Sequence, residues 1–146
     1  MTSMADVAAA VVAELNGHTF SRTFTAVRSY RPVYPREEMA ALHMTVVPAE
    51  VSRSVSDRGH QVKDFTVDVS VQHAPDPLDL AALDGLTAFV EELADYFFYR
   101  RLASLNRVIC IHTAMAPGCE RGYLEEHIET LMQFTGVLQL TLRVVE

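Results

Sequence analysis

Lysine is nearly missing from this 146-residue chain: of its 12 basic residues, all but Lys63 are arginine. Against 19 acidic residues they leave a net charge of −7. That balance argues against a protein that neutralises nucleic-acid phosphates over a broad face. Cysteine is scarce as well. Cys110 and Cys119 make no disulfide framework and read as free thiols in a reducing cytoplasm. No apolar run reaches membrane-spanning length, because Asp, Glu or Arg interrupts each one. The opening Met1-Thr2-Ser3-Met4-Ala5-Asp6 has no basic stretch, so a signal peptide is not expected. The six glycines are scattered at turns. There is no Gly-rich phosphate loop, no G-x-S-x-G, no H-E-x-x-H and no C-x-x-C.

What is present suffices for a core. Hydrophobic residues make up 49% of the chain and charged residues 21%, an ordinary balance for a globular protein. The length suits one domain, residues 1–146, which buries roughly two-thirds of the surface its unfolded chain exposes. Such a core needs no metal or disulfide to hold it together.

Periodicity then assigns the elements. Residues 3–16 have helical spacing, with Val7, Ala8, Val11, Val12 and Leu15 on one face and Asp6 and Glu14 beside it. Ser3 is the expected N-cap, and Asn16-Gly17 the expected left-handed end. Residues 20–30 are rich in β-formers and read as a strand, broken by Arg31-Pro32-Val33-Tyr34-Pro35. Residues 42–47 read as a short strand ended by Pro48. Residues 49–59 are polar and without a period, which suggests a mobile loop or a long hairpin tip. Phe65, Val67, Val69 and Val71 alternate with Asp64, Thr66, Asp68 and Ser70, predicting one buried and one wet face. Pro75-Asp76-Pro77 stops that strand.

A long helix is expected over residues 79–101. Leu83, Leu86, Val90, Leu93 and Phe97 form its stripe, and Asp84, Glu91, Glu92 and Asp95 lie opposite. Arg100 and Arg101 would close it against the carbonyl end of the dipole. Residues 107–113 are apolar on both parities, which predicts a central strand covered on both faces. Residues 115–128 are irregular, with a helical turn somewhere in 124–132. Leu138, Leu140, Leu142 and Val144 alternate with Gln139, Thr141 and Arg143 in a second half-buried strand. The order is α-β-β-β-α-β-β. It predicts an α+β fold, two amphipathic helices packed on a four- to five-stranded mixed or antiparallel sheet.

Three constellations have chemical interest. Cys110, His112, Cys119 and His127 offer zinc-type donors, but their spacing fits no familiar tetrahedral site. A buried Cys110 acting as a small hydrophobe beside two ordinary histidines is the favoured reading. Cys110 and His112, two apart on a strand, would share a face as nucleophile and base, yet about 7 Å separates their origins and no third group orients the histidine. Asp64, Asp68, Glu91, Glu92 and Asp95 read as solvated carboxylates rather than an acid–base pair or cation site. No catalytic, cofactor or metal residue is therefore expected. The third feature is Arg22, Arg28 and Arg31 among Phe20, Phe24, Tyr30 and Tyr34. This mixture suits either base stacking on a single strand or a protein interface, and the acidic chain favours the interface.

The helix ending in Leu15-Asn16-Gly17, the run from Phe20 through Phe24 to Tyr30, Leu42-His43-Met44-Thr45-Val46-Val47-Pro48, the strand of Asp64 and Val71, the Val90-Glu91-Glu92-Leu93-Ala94-Asp95 helix and the closing strand of residues 134–144 belong together. The whole pattern resembles the tail terminator and tail-completion (neck) proteins of long-tailed bacteriophages. That resemblance implies a virion protein, made in the host cytoplasm, that rings the end of the tail tube and joins it to the head. It implies a homohexamer with no cofactor, bound to tail tube and sheath proteins and to head-completion or connector proteins. It also implies no membrane partner and at most non-specific contact with DNA passing through the ring. The subunit interface expected on this basis comprises Arg22, Phe24, Arg28, Tyr30, Arg53, Arg58, Glu91 and Asp95. Two alternatives stay open: a neighbouring connector or head-completion role, and a small ligand-binding domain or enzyme.

Overall fold

Alternation is strongest in the strand of Val67 and Val69, and the fold is built around it. In a computed structural model, which describes residues 2–30, 40–76 and 78–146 apart from the Thr130 side chain, this strand is β3, His60–His73. The expected breaker at residues 31–35 and Pro77 lie outside the described residues. The other elements are α1 (Met4–Gly17), β1 (Ala26–Arg28), β2 (His43–Asp57), α2 (Leu80–Phe97), β4 (Ile109–Met115) and β5 (Phe134–Val145). A π-helical turn, His127–Leu131, precedes β5. The five strands form one mixed sheet in the order β1-β2-β3-β5-β4. β1 runs parallel to β2, and every other pairing is antiparallel. This is the expected α+β arrangement in the expected element order.

Both helices cover one face of the sheet. Val7, Ala8, Val11 and Leu15 of α1 share a single core with Leu86, Phe89, Val90, Leu93 and Phe97 of α2. Beneath them lie Met44 and Val46, the four apolar residues of β3 from Phe65 to Val71, and Leu138, Leu140, Leu142 and Val144 of β5. Each of these side chains contributes on the order of 1.5–3 kcal/mol by leaving water.

The opposite face is drier than alternation suggests. Thr45, Ser70, Gln72 and Thr135 are buried there, and Asp68 is half-buried. Asp68 Oδ1, Ser70 Oγ and Gln72 Oε1 form a row along β3 with no hydrogen-bond partner among the described residues. Burial pushes the Asp68 carboxyl up, against a hydrogen bond to Gln139.

Several local expectations are corrected by tertiary pairing. α1 has its Ser3–Asp6 capping box, but it runs through Gly17 and ends at an extended His18 rather than a left-handed residue. Asn16 is used differently: its side-chain amide donates to Ala26 O at 3.1 Å and accepts from Ala26 N at 2.8 Å, closing the outer edge of β1 like a neighbouring strand. The segment 20–30 is strand only over β1; residues before it are coil packed on α2.

Pro48 does not end β2. Ser29 N donates to Val46 O at 3.0 Å, so the next parallel bond on that side would come from an amide at position 48. Proline has none, and it is β1 that stops. β2 continues past a register shift between Pro48 and Glu50 and pairs with β3 out to Asp57 and His60. The polar stretch 49–59 is thus the outer half of a hairpin. Gly59 turns it with φ 98°, a conformation that favours glycine.

α2 starts at its Asp79 cap and stops at Phe97, four residues short of Arg101. Tyr99 turns left-handed at φ 53°, and Arg100 Nε donates back to Tyr96 O at 2.9 Å. β4 is an edge strand, not a central one. A register shift between Cys110 and His112 sets Cys110 opposite Leu142 and His112 opposite Thr141. The bulge, rather than cover on both faces, explains its apolar residues on both parities.

Lys63 sits on the core face of β3 and is 1% exposed. Its Nζ donates to Glu146 Oε2 at 3.1 Å and to Thr2 O at 3.3 Å, while Thr2 N donates to Glu146 Oε1 at 2.7 Å. Hydrogen bonds from Thr2, then the Lys63 ammonium, hold the Glu146 carboxyl down at about 2.

Candidate assembly surface

The Arg-aromatic segment divides into an inner and an outer half. Phe20 meets Tyr96 edge to face with ring centroids 5.0 Å apart, and the Phe24 and Phe89 ring centroids are 5.7 Å apart. Ser21 N donates to Glu92 Oε1 at 3.0 Å. Arg22 lies across α2 where Gly85 leaves room: a Cβ there would stand 2.7 Å from Arg22 Nη2. Arg22 and Phe24 are therefore half-buried against their own helix. Arg28 and Tyr30, beyond the turn into β1, face outward, with Tyr30 74% exposed.

The hairpin arm is exposed throughout residues 49–60. Val51, Arg53 and Val55 share one face by the period of two, opposite Phe65, Lys63 and Gln61. Val51 is 40% exposed and Val55 83%. Arg58 stands at the turn. The side chains of Arg53 and Arg58 have no ionic partner among the described residues, whereas Asp57 is taken by His60. Alternation of Val51 and Val55 was the available sign that the strand continues, and the serines between them masked it.

On α2, Glu91 and Asp95 are exposed one turn apart, also without ionic partners among the described residues. Glu92, between them in sequence, is engaged by Ser21. Beside Glu91 a hollow of about 290 Å³ opens between α2, β4 and the loop after β4. Val90, Ala94, Met115 and Leu138 make its floor, and Glu91, Glu120 and Arg121 its rim. Arg121 pairs with Glu125 at 3.3 Å, so the rim carries two carboxylates against an already paired guanidinium. Hydrogen bonds from backbone amides, its own and that of Gly118, keep Glu120 ionised below the usual carboxylate range. Among the described residues no ion pair joins the arm to α2.

A second hollow, about 330 Å³, lies where the two helices end and is lined by Glu14, His18, Tyr96 and Arg100. Here the polar groups point at one another. Tyr96 Oη donates to Glu14 Oε2 at 2.7 Å, and Ala103 N donates to Glu14 Oε1. Burial and that carboxylate push the Tyr96 hydroxyl up to about 12. Arg100 covers the Tyr96 ring at 3.9 Å. Glu14, expected beside the helix stripe, is thus a buried tie between α1, α2 and the following loop.

The cysteine–histidine set is dispersed. Cys110 points into the core and His112 away from it, so the expected shared face does not exist. Burial pushes the Cys110 thiol up to about 11 and raises Cys119 as well; thiols shifted this way are protonated at neutral pH. His127 meets Thr135 Oγ1 at 2.8 Å. Among the described residues no group of three or more His, Cys, Asp or Glu could hold a metal ion. Asp64 is held by Arg143 through two bonds of 2.8 and 2.9 Å, which keeps its carboxyl low. No protein-family model matches this chain, and no curated protein matches it either.

Proposed function

We propose that this chain is a structural subunit of a phage tail, forming a homomeric ring that terminates the tail tube and faces the head. The observation that carries this reading is the hairpin arm. Residues 49–60 continue the β2–β3 ladder beyond the helix-covered core and hold two valines in water. Exposed β-branched side chains on an open strand edge are an aggregation hazard unless a partner takes them. A ring supplies that partner with the same chain, through two different patches that close by rotation.

The outward Arg28 and Tyr30, the arm's Arg53 and Arg58 and the acidic ridge of α2 provide groups of opposite charge for such contacts. In this reading the chain binds itself, the tube and a head-side neighbour, and needs no cofactor. The test is made on purified particles of the encoding virus. Immunogold labelling is expected at the junction of tail and head. Virions that lack the chain would end the proposal.

A further inference from the structure

We infer that the ring contact is arm to hollow: the Val51–Arg53–Val55 face of one copy seats on the acid-rimmed hollow between α2 and β4 of the next copy. This rests on the assembly reading above and names its interface. The two surfaces match in three respects. The hollow has an apolar floor of Val90, Ala94, Met115 and Leu138 and room for an aliphatic side chain. The arm offers Val55, the most exposed large hydrophobic residue described. The charges also match. Arg53 shares a face with the two valines, Arg58 stands at the tip, Glu50 lies on the opposite face of the arm, and Asp57 beside Arg58 is paired with His60. Across the contact these arginines meet Glu91, with Asp95 one turn further, and Glu120.

The second copy is the favoured occupant because each chain carries both halves, and among the described residues no ion pair joins them within one copy. The halves lie on different parts of the molecule, so in the proposed ring, as opposed to a reciprocal two-fold pair, the contact is heterologous and runs head to tail from copy to copy. Charge placed around an apolar anchor fixes orientation and rejects mismatched partners more than it adds affinity.

Trapping tests this on the full chain. Val55→Cys with Ala94→Cys, oxidised by copper phenanthroline at high protein concentration, is expected to give a ladder of disulfide-linked species beyond the dimer. Val55→Cys alone is expected to stop at dimers, and buried Cys110 and Cys119 do not compete. Adding Arg53→Glu should cut the ladder about tenfold, and adding Glu91→Arg to that should restore it.

A double variant that stays monomeric while both new thiols react with maleimide overturns the interface, and the arm then belongs to another protein; one that stops at dimers overturns the head-to-tail ring contact. A ladder indifferent to Arg53→Glu overturns it too. These outcomes are separable from the functional reading. Labelled tail junctions without a ladder would remove the interface alone, and a ladder with no chain in virions would remove the tail role alone.

Discussion

The two halves of the β2–β3 hairpin are continuous in backbone pairing and opposite in environment. In the inner half Met44, Val46, Val67 and Val69 are fully covered by the helices. In the outer half Val51 and Val55 have the same β-forming character and stand in solvent. Hairpin pairing alone is marginal in water; the inner half is stable because a layer packs on it, and the outer half is carried by that stability. The difference marks the outer half as surface available for a partner.

Mutations should separate the halves cleanly. Leu140→Ala, under the helices beside the inner half, should cost about 2–5 kcal/mol in urea denaturation, through lost burial and a residual cavity. A cost below about 1 kcal/mol would mean that the core is not centred on β3 and β5. Glu146→Ala should come next, at roughly 3 kcal/mol, because it strands a buried Lys63 ammonium. The Lys63→Met, Glu146→Ala pair should recover much of the loss.

The same clamp has a pH signature. Glu146 has a folded value of about 2, below its usual 4.5, so its contribution is complete above about 4.5 and drains away as pH falls toward 2. Asp68 acts with the opposite sign. Its folded value is raised by burial, so ionising it costs stability, and the cost is relieved as pH falls through that value. Stability against pH in Asp68→Asn should lack this rise on mild acidification and keep the later loss. Cys110→Ala should cost about 1 kcal/mol and leave assembly unchanged.

The smallest effect belongs to the arm. Val55→Ala should shift stability by no more than about 0.5 kcal/mol while sharply reducing tail capping. A large loss of stability would instead make the arm part of the folding core.

The chain's periodic segments were legible because their signal is local. β3, β5 and the stripe of α2 could be read from side-chain spacing, and the Ser3 cap from one residue and its third neighbour. The parity of Phe65 and Val67 also places Lys63 on the core face, a signal that its charge obscured. The Arg-aromatic segment reads locally as one strand over residues 20–30, whereas only Ala26–Arg28 is strand. Which way Arg22 and Phe24 point depends on Gly85 and Phe89, more than sixty residues away. Of the expected interface, Arg28, Tyr30, Arg53, Arg58, Glu91 and Asp95 are outward and available, while Arg22 and Phe24 are committed internally.

By itself the sequence determined the element types, their order and the buried faces of the best strands and helices, because backbone geometry repeats every 2 or 3.6 residues. Only the tertiary structure decided that β4 is an edge, that Pro48 ends β1 rather than β2, and that Lys63 and Glu14 are interior ties. It also decided that Cys110 and His112 face apart. Each of these depends on which strand, helix or loop lies alongside, or on where a bulge shifts the register. Such pairings join residues distant in the chain, and no local period encodes them.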